Sequence, residues 1–249
     1  MCCHTLTGTA SVITRYLVTV LDPIEIAFMR YFFGGLAMLP LFFIFRTSKL
    51  TKILLLKTAG LGALFFALFP FLFSWAFVHT TAARGALVLA TMPIWAMLIS
   101  KVLGHEGINK FSLIAILFTF VGLAVALSDK LMMVSEHNVL FKGEAIMLCT
   151  AMVGAVYATF ARRVLQEIPA STMTPLAMLS GCLCLLPFSL ANGIGGHVVL
   201  LSPLQMGLMV YLGVIAGGLA FFLLNWVLNQ STATFASLFV TLNPITAII

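Results

Sequence analysis

The sequence is short of charge. Of 249 residues only 8% are Asp, Glu, Lys or Arg, and just seven are acidic; a soluble domain carries about 25% charged residues. A globule of this size has too little interior to hide the 62% of hydrophobic residues that take their place. A soluble fold, a disordered chain and a nucleic-acid binder are excluded together, so the net charge of +6 is read as membrane topology. Cysteine is scarce as well. Cys149, Cys182 and Cys184 lie inside apolar runs without metal-ligand spacing and act as small hydrophobes, while Cys2 and Cys3 are candidates for acylation. The five histidines fall at helix ends or in loops, and no Gly-rich phosphate loop leads into Lys and Ser/Thr. No nucleophile is paired with a base at membrane depth, so no enzyme, metal or cofactor chemistry is expected.

What is present is a series of apolar runs near span length, at 5–21, 24–45, 53–78, 83–103, 111–128, 143–162, 171–191, 204–228 and 232–249. The runs do not alternate as strands of a barrel would, so the spans are helical. Short connections, such as Leu21, Asp22 and Pro23, predict antiparallel neighbours in sequence order. Basic residues sort to one side. Arg46, Lys49, Lys52, Lys57, Lys101, Lys110, Arg162 and Arg163 oppose Arg84, Lys130 and Lys142, which predicts a cytoplasmic N-terminus in a multi-pass membrane protein.

The chain repeats itself. An offset of 151 places Leu61 on Leu212, Gly62 on Gly213, Leu68 on Leu219, Phe71 on Phe222, Trp75 on Trp226, Thr81 on Thr232 and Pro93 on Pro244. An offset of 147 places Gly34, Leu36, Leu39 and Pro40 on Gly181, Leu183, Leu186 and Pro187. The repeat unit is five helices long, and an odd number of spans sets the second copy upside down. The expected fold is an all-α polytopic membrane protein built as an inverted repeat of two five-helix units, 1–128 and 142–249, with the second copy lacking its tenth helix.

Several stretches are similar to the drug/metabolite transporter superfamily, EamA type. The run Asp22 to Tyr31, with its Pro23 and one Arg, resembles that family's second helix. Trp75 to Pro93, through Thr81, Ala82, Ala83, Gly85, Ala86 and Leu87, resembles the junction of its third and fourth helices. Gly143 and Glu144, with Tyr157 and Ala158, resemble its sixth helix, and Thr232 to Pro244 the repeated junction. The resemblance implies a ten-helix permease that exports amino acids, metabolites or drugs, coupled to protons or by exchange. The chain departs from that pattern by ending inside the ninth helix, so a non-transporting membrane subunit or truncated fragment stands as the alternative. The partners implied are the lipid bilayer and a small-molecule substrate, with a homodimer left open and no nucleic acid.

Polar residues within the spans are the site candidates. Arg30 lies about 10 Å down its helix from Pro23; it is read either as an anchor for a substrate carboxylate or gating pair, or as a structural Arg bonded to helix carbonyls. Arg15 is similar. Glu144 is either a coupling carboxylate or a first-turn acid at its helix N-terminus, and Arg84 is a candidate partner for it or for Glu25. Pro93 and Pro244, flanked by Thr91 and Asn243, each remove a helix bond and suggest an interrupted helix beside a pathway or a packing kink. Trp75 and Trp226 are read as belt anchors or as a cavity wall. Tyr157 and Asn225 are the remaining handles for a ligand, and Gly213 with Gly217 reads as close helix packing.

Overall fold

The computed structural model describes residues 2–45, 50–104, 114, 117, 121, 142–193, 201–231 and 236. They form α1 (Cys2–Leu17), α2 (Pro23–Ile44), α3 (Lys52–His79), α4 (Ala82–Leu89), α5 (Met92–Val102), α6 (Lys142–Leu165), α7 (Ala170–Ala191) and α8 (Pro203–Gln230). Among the described residues six stretches are long and apolar enough to cross a membrane, with α4 and α5 together making one of them. Asn243, Pro244 and nearly all of the expected ninth and fifth spans lie outside the described residues.

Local chemistry sets the helix ends. Before α2 the Asp22 N–H donates to Glu25 Oε2 at 3.2 Å, and Pro23 occupies the first turn, where its missing N–H costs nothing. Before α8, Ser202 Oγ accepts from the Gln205 N–H at 3.3 Å while the Gln205 side chain accepts from the Ser202 N–H at 2.9 Å, again ahead of a first-turn proline. Thr51 and Thr81 cap α3 and α4 through their hydroxyls. The run at 83–103 is interrupted at Ala90 and Thr91, close to the proline that suggested an interruption, but the expectation that Pro93 removes a helix bond is corrected. Pro93 then sits in the first turn of α5, so it interrupts no internal hydrogen bond.

Both long helices contain one π-helical turn, Ala63–Leu68 in α3 and Val214–Leu219 in α8. The two turns stand 151 residues apart, the offset at which the sequence repeats, and each begins immediately after a glycine of a repeated pair, Gly62 or Gly213. Helix α2 packs against the π turn of α8, and α7 against the π turn of α3. Both contacts are at backbone distance. A Cβ on Gly34 would lie 2.7 Å from the Gly213 carbonyl oxygen, and one on Gly213 would lie 2.7 Å from the Arg30 carbonyl oxygen. In the other crossing a Cβ on Gly181 would lie 2.9 Å from the Gly62 carbonyl oxygen and 2.6 Å from Phe66 Cβ. No larger side chain fits at either crossing.

The expectation that helices pack in sequence order is corrected. Helix α2 packs extensively along α7, whereas α6 and α7, linked by a few residues, touch over little of their length. A tight connection reverses the chain direction but leaves side-by-side packing to the side chains, and the glycine faces of α2 and α7 pack elsewhere.

Large apolar side chains are distributed on both sides of the helices. Tyr31, Phe65, Phe66, Phe69, Phe73, Phe77, Tyr157 and Phe221 fill the interior, while Phe32, Leu36, Phe43, Leu56, Leu183 and Phe188 point outward. An outer face this apolar is matched to lipid.

Replacing Gly213 with Val forces a branched side chain against the Arg30 carbonyl and the Phe33 Cβ, and the expected cost is about 1–3 kcal/mol, the range for overpacking. Gly60, with nothing within 4 Å of a Cβ, accepts Ala without loss. Heating the detergent-solubilised variants and measuring the surviving monodisperse fraction by size exclusion separates the two; equal melting of Gly213→Val and wild type would contradict the close crossing.

Candidate functional site

Arg30 projects from the middle of α2 into the centre of the bundle and is 3% exposed. Its Nη2 donates to the Ala216 carbonyl oxygen at 3.2 Å. Ala216 belongs to the π turn of α8, a wider turn that departs from the regular carbonyl ladder. The guanidinium carbon sits 5.5 Å from the ring centre of Tyr31 and 6.0 Å from that of Phe221. The Arg30 Nε has no partner. Of the two sequence readings, the structure displays the bond to a helix carbonyl.

Beside Arg30 lies a chain of uncharged hydrogen bonds. The Tyr157 hydroxyl of α6 donates to Asn225 Oδ1 of α8 at 2.9 Å, and Asn225 Nδ2 donates to Thr174 Oγ1 of α7 at 2.9 Å. All three residues are buried. Rings connect this chain to Arg30. Tyr157 stacks on Phe65 at 4.0 Å, Phe65 meets Phe221 edge-on at 5.1 Å, and Tyr31 meets Phe66 edge-on at 4.9 Å. The Tyr31 hydroxyl is buried without a partner. Arg30, Tyr157 and Asn225, singled out separately in the sequence, thus belong to one buried assembly. Tyr31, Thr174 and Ala216 were missed: Tyr31 had a signal in its place beside Arg30, Thr174 only in being a hydroxyl within an apolar run, and Ala216 none, because it acts through its backbone.

A second polar cluster ties the α3–α4 corner to the start of α6. Arg84 Nε lies 3.2 Å from Glu144 Oε1, to which the Thr80 hydroxyl also donates at 2.8 Å. Gly143 permits this approach, since a Cβ there would lie 2.8 Å from the His79 carbonyl carbon and from Thr80 Cβ. Glu144 Oε2 is buried without a partner. Glu144 is in the first turn of α6, as the sequence suggested, and the suspected pairing with Arg84 forms. Glu25 remains with the N-terminal turn of α2.

The other candidates lie apart from the central assembly. Arg15, in the last turn of α1, is exposed and donates to the Phe77 carbonyl near the end of α3, where a cation suits the negative end of the helix. Trp75 and Trp226 are 37% and 51% exposed on the outer surface; Trp75 stacks on Phe71 at 5.8 Å with Lys142 Nζ 5.9 Å from its ring. Thr91 accepts a hydrogen bond from Trp95 Nε1 at 3.3 Å, and Pro93 is buried beside it. A wholly apolar groove of about 330 Å³ opens between α2, the π turn of α3 and α7, lined by residues including Ala67, Phe71 and Leu185. It contains none of these polar groups. Among the described residues no three His, Cys, Asp or Glu side chains cluster to hold a metal ion.

Asn225→Leu leaves the Tyr157 and Thr174 hydroxyls unpaired and is expected to cost about 1–3 kcal/mol. Removing all three polar groups together, as Tyr157→Phe, Thr174→Val and Asn225→Leu, should recover most of that loss. Thermal melting of both variants tests the chain of bonds, and a triple variant no more stable than Asn225→Leu would count against it.

The sequence profile of the EamA-like transporter family matches residues 1–128 and 141–249. An uncharacterized transporter of Archaeoglobus fulgidus is 23% identical over 244 residues, 97% of this chain and 83% of that protein. The uncharacterized transporter YyaM of Bacillus subtilis is 22% identical over 250 residues, 98% of this chain and 80% of that protein. One crystal structure superposes with a TM-score of 0.68 at 17% identity, over 98% of this chain and 85% of the other, a likeness of fold. With apolar helices of spanning length and profile matches over nearly its whole length, the chain is an integral membrane protein that belongs to the EamA-like transporter family of the drug/metabolite transporter superfamily.

Proposed function

We propose that this chain is a secondary transporter of the inner or plasma membrane, with a cytoplasmic N-terminus, that exports a small metabolite by alternating access between two inverted five-helix halves. The observation that carries this reading is the pair of matched crossings. Gly34 on Gly213 and Gly181 on Gly62 join positions related by the two sequence offsets, and each crossing sits at a π turn. Two equivalent contacts of a half against its inverted copy supply the pivot that rocking about a central site requires. The polar assembly of Arg30, Tyr157, Asn225 and Thr174 draws its members from both halves, beside that pivot.

In this reading the Arg84, Glu144 and Thr80 corner is a closure between the halves. It joins the end of α3 to the start of α6, and it is small enough to open. A partly exposed ion pair contributes about 0–1 kcal/mol, well within what binding of a solute can offset.

The test uses proteoliposomes loaded in turn with amino acids, nucleobases, organic anions and organic cations. At least one solute should leave saturably. In a variant with its native cysteines replaced, Arg84→Cys with Glu144→Cys bridged by a short reducible dithiol cross-linker should stop that flux, and reductant should restore it. Absence of flux across the whole panel, or flux indifferent to the bridge, would sink the proposal. Fusion of a compartment-sensitive reporter to the N-terminus checks orientation, with a cytoplasmic signal expected.

A further inference from the structure

We infer that the central assembly is an anion site, in which Arg30 receives the carboxylate of a substrate whose apolar body lies among the aromatic rings. This rests on the transport reading and narrows its substrate to organic monoanions.

The first argument is charge balance. A guanidinium stays protonated, and burying one without a counter-charge costs several kcal/mol. Arg30 is almost fully buried, yet its bond at 3.2 Å is to a neutral carbonyl, and its Nε has no partner. Among the described residues the ion pair formed is Arg84 with Glu144, at the α3–α4 corner, and Glu25 is engaged by the Asp22 N–H at the start of α2. Ring faces at 5.5 and 6.0 Å offset part of the cost. They carry no net charge.

The second argument is that the fold makes the same crossing without a cation. At the offset of 147 that pairs Gly34 with Gly181, the counterpart of Arg30 is Ala177. A Cβ on Gly213 would meet the Arg30 carbonyl, and a Cβ on Gly62 would meet the Ala177 carbonyl. The backbone contact is the same in both. The side chain is therefore surplus to packing, and a cation that packing does not require has another use.

The third argument is the neighbouring donor. The Tyr31 hydroxyl, on the residue next to Arg30, is also buried and unpartnered. Arginine offers a planar fork that fits a carboxylate with two bonds, and the hydroxyl supplies another donor. A neutral solute leaves the charge uncompensated, and a cationic one adds to it.

Occupancy would also act on the second half. An oxyanion that draws the guanidinium toward itself pulls Nη2 away from the Ala216 carbonyl and so loosens the π turn of α8, part of the proposed pivot. Ligand binding is thereby coupled to the crossing.

The experiment measures melting of the purified full-length chain in detergent with benzoate, phenylacetate and indole-3-acetate, each against its primary amide, and with benzylamine. At least one carboxylate should raise the melting temperature with saturation, and its amide should bind at least about tenfold more weakly. Arg30→Gln should abolish the carboxylate effect while melting no lower than wild type without ligand; Arg30→Lys should retain part of it. Amide exchange across Val214–Leu219 should quicken when the carboxylate is bound. Stabilisation by no carboxylate, equal stabilisation by acid and amide, an Arg30→Gln variant that still responds, or one that melts lower and is equally unresponsive to every solute would overturn the anion site. Unchanged exchange would overturn the coupling. Saturable flux of a neutral or cationic solute, undiminished in Arg30→Gln, would refute the anion assignment and leave transport standing; carboxylate binding without any flux would do the reverse.

Discussion

Helices in lipid gain nothing by hiding apolar surface from one another, because the acyl chains around them are equally apolar. Association then depends on contact distance, on dispersion between closely fitted surfaces and on the few polar bonds that cross an interface. In this protein the close contacts are made at Gly34 with Gly213 and at Gly181 with Gly62. Everything central follows from them. They bring α2 against α8 and α7 against α3, they set the π turns beside a facing backbone, and they bring the Ala216 carbonyl within reach of Arg30.

The same absence of water dictates where polar side chains stand. Tyr157, Asn225 and Thr174 are tolerated in the interior because each hydroxyl or amide finds another. Trp75 and Trp226, at equivalent repeat positions, are both exposed on the outer surface, away from the central assembly. Arg84 and Glu144, being charged, meet at a corner where a helix begins and another turns, rather than along the helix faces. Arg30 alone among these breaks the rule, since it is a buried cation whose bonded partner is neutral.

The apolar runs at 24–45 and 204–228 located the helices, and α2 and α8 begin within a residue of them, where the local chemistry of Asp22 with Pro23 and of Ser202 with Pro203 sets the start. The offset of 151 was legible too, since repeated Gly, Phe and Trp survive side by side in the text of the chain. Neither π turn was. A π turn is a shift in backbone bonding that no residue type demands, and the two turns share only their leading glycine and last leucine. The pairing of α2 with α7 was hidden for a related reason: loop length constrains direction, whereas adjacency is decided by surfaces far apart in sequence. Arg30 could be recognised as an anomaly, but its partner could not be named, because a carbonyl is the one acceptor every residue carries.

A repeat also separates scaffold from site. Positions that build the frame match between copies: glycine on glycine at both crossings, leucine and proline along the paired helices, tryptophan at the surface. Positions in the central assembly do not match. Arg30 corresponds to Ala177, Thr174 to Ala27, Asn225 to Ser74 and Phe221 to Pro70 at the same offsets. A frame that rocks between two equivalent tilts benefits from symmetry, since the contacts broken on one side are those made on the other. A small solute with a charged end and an apolar body has no two-fold axis, and a symmetric pocket would hold its charged end equally well in opposed orientations. Under the proposed anion site, one guanidinium in one copy only would remove that degeneracy, and the break in the repeat at Arg30 is where selectivity would enter.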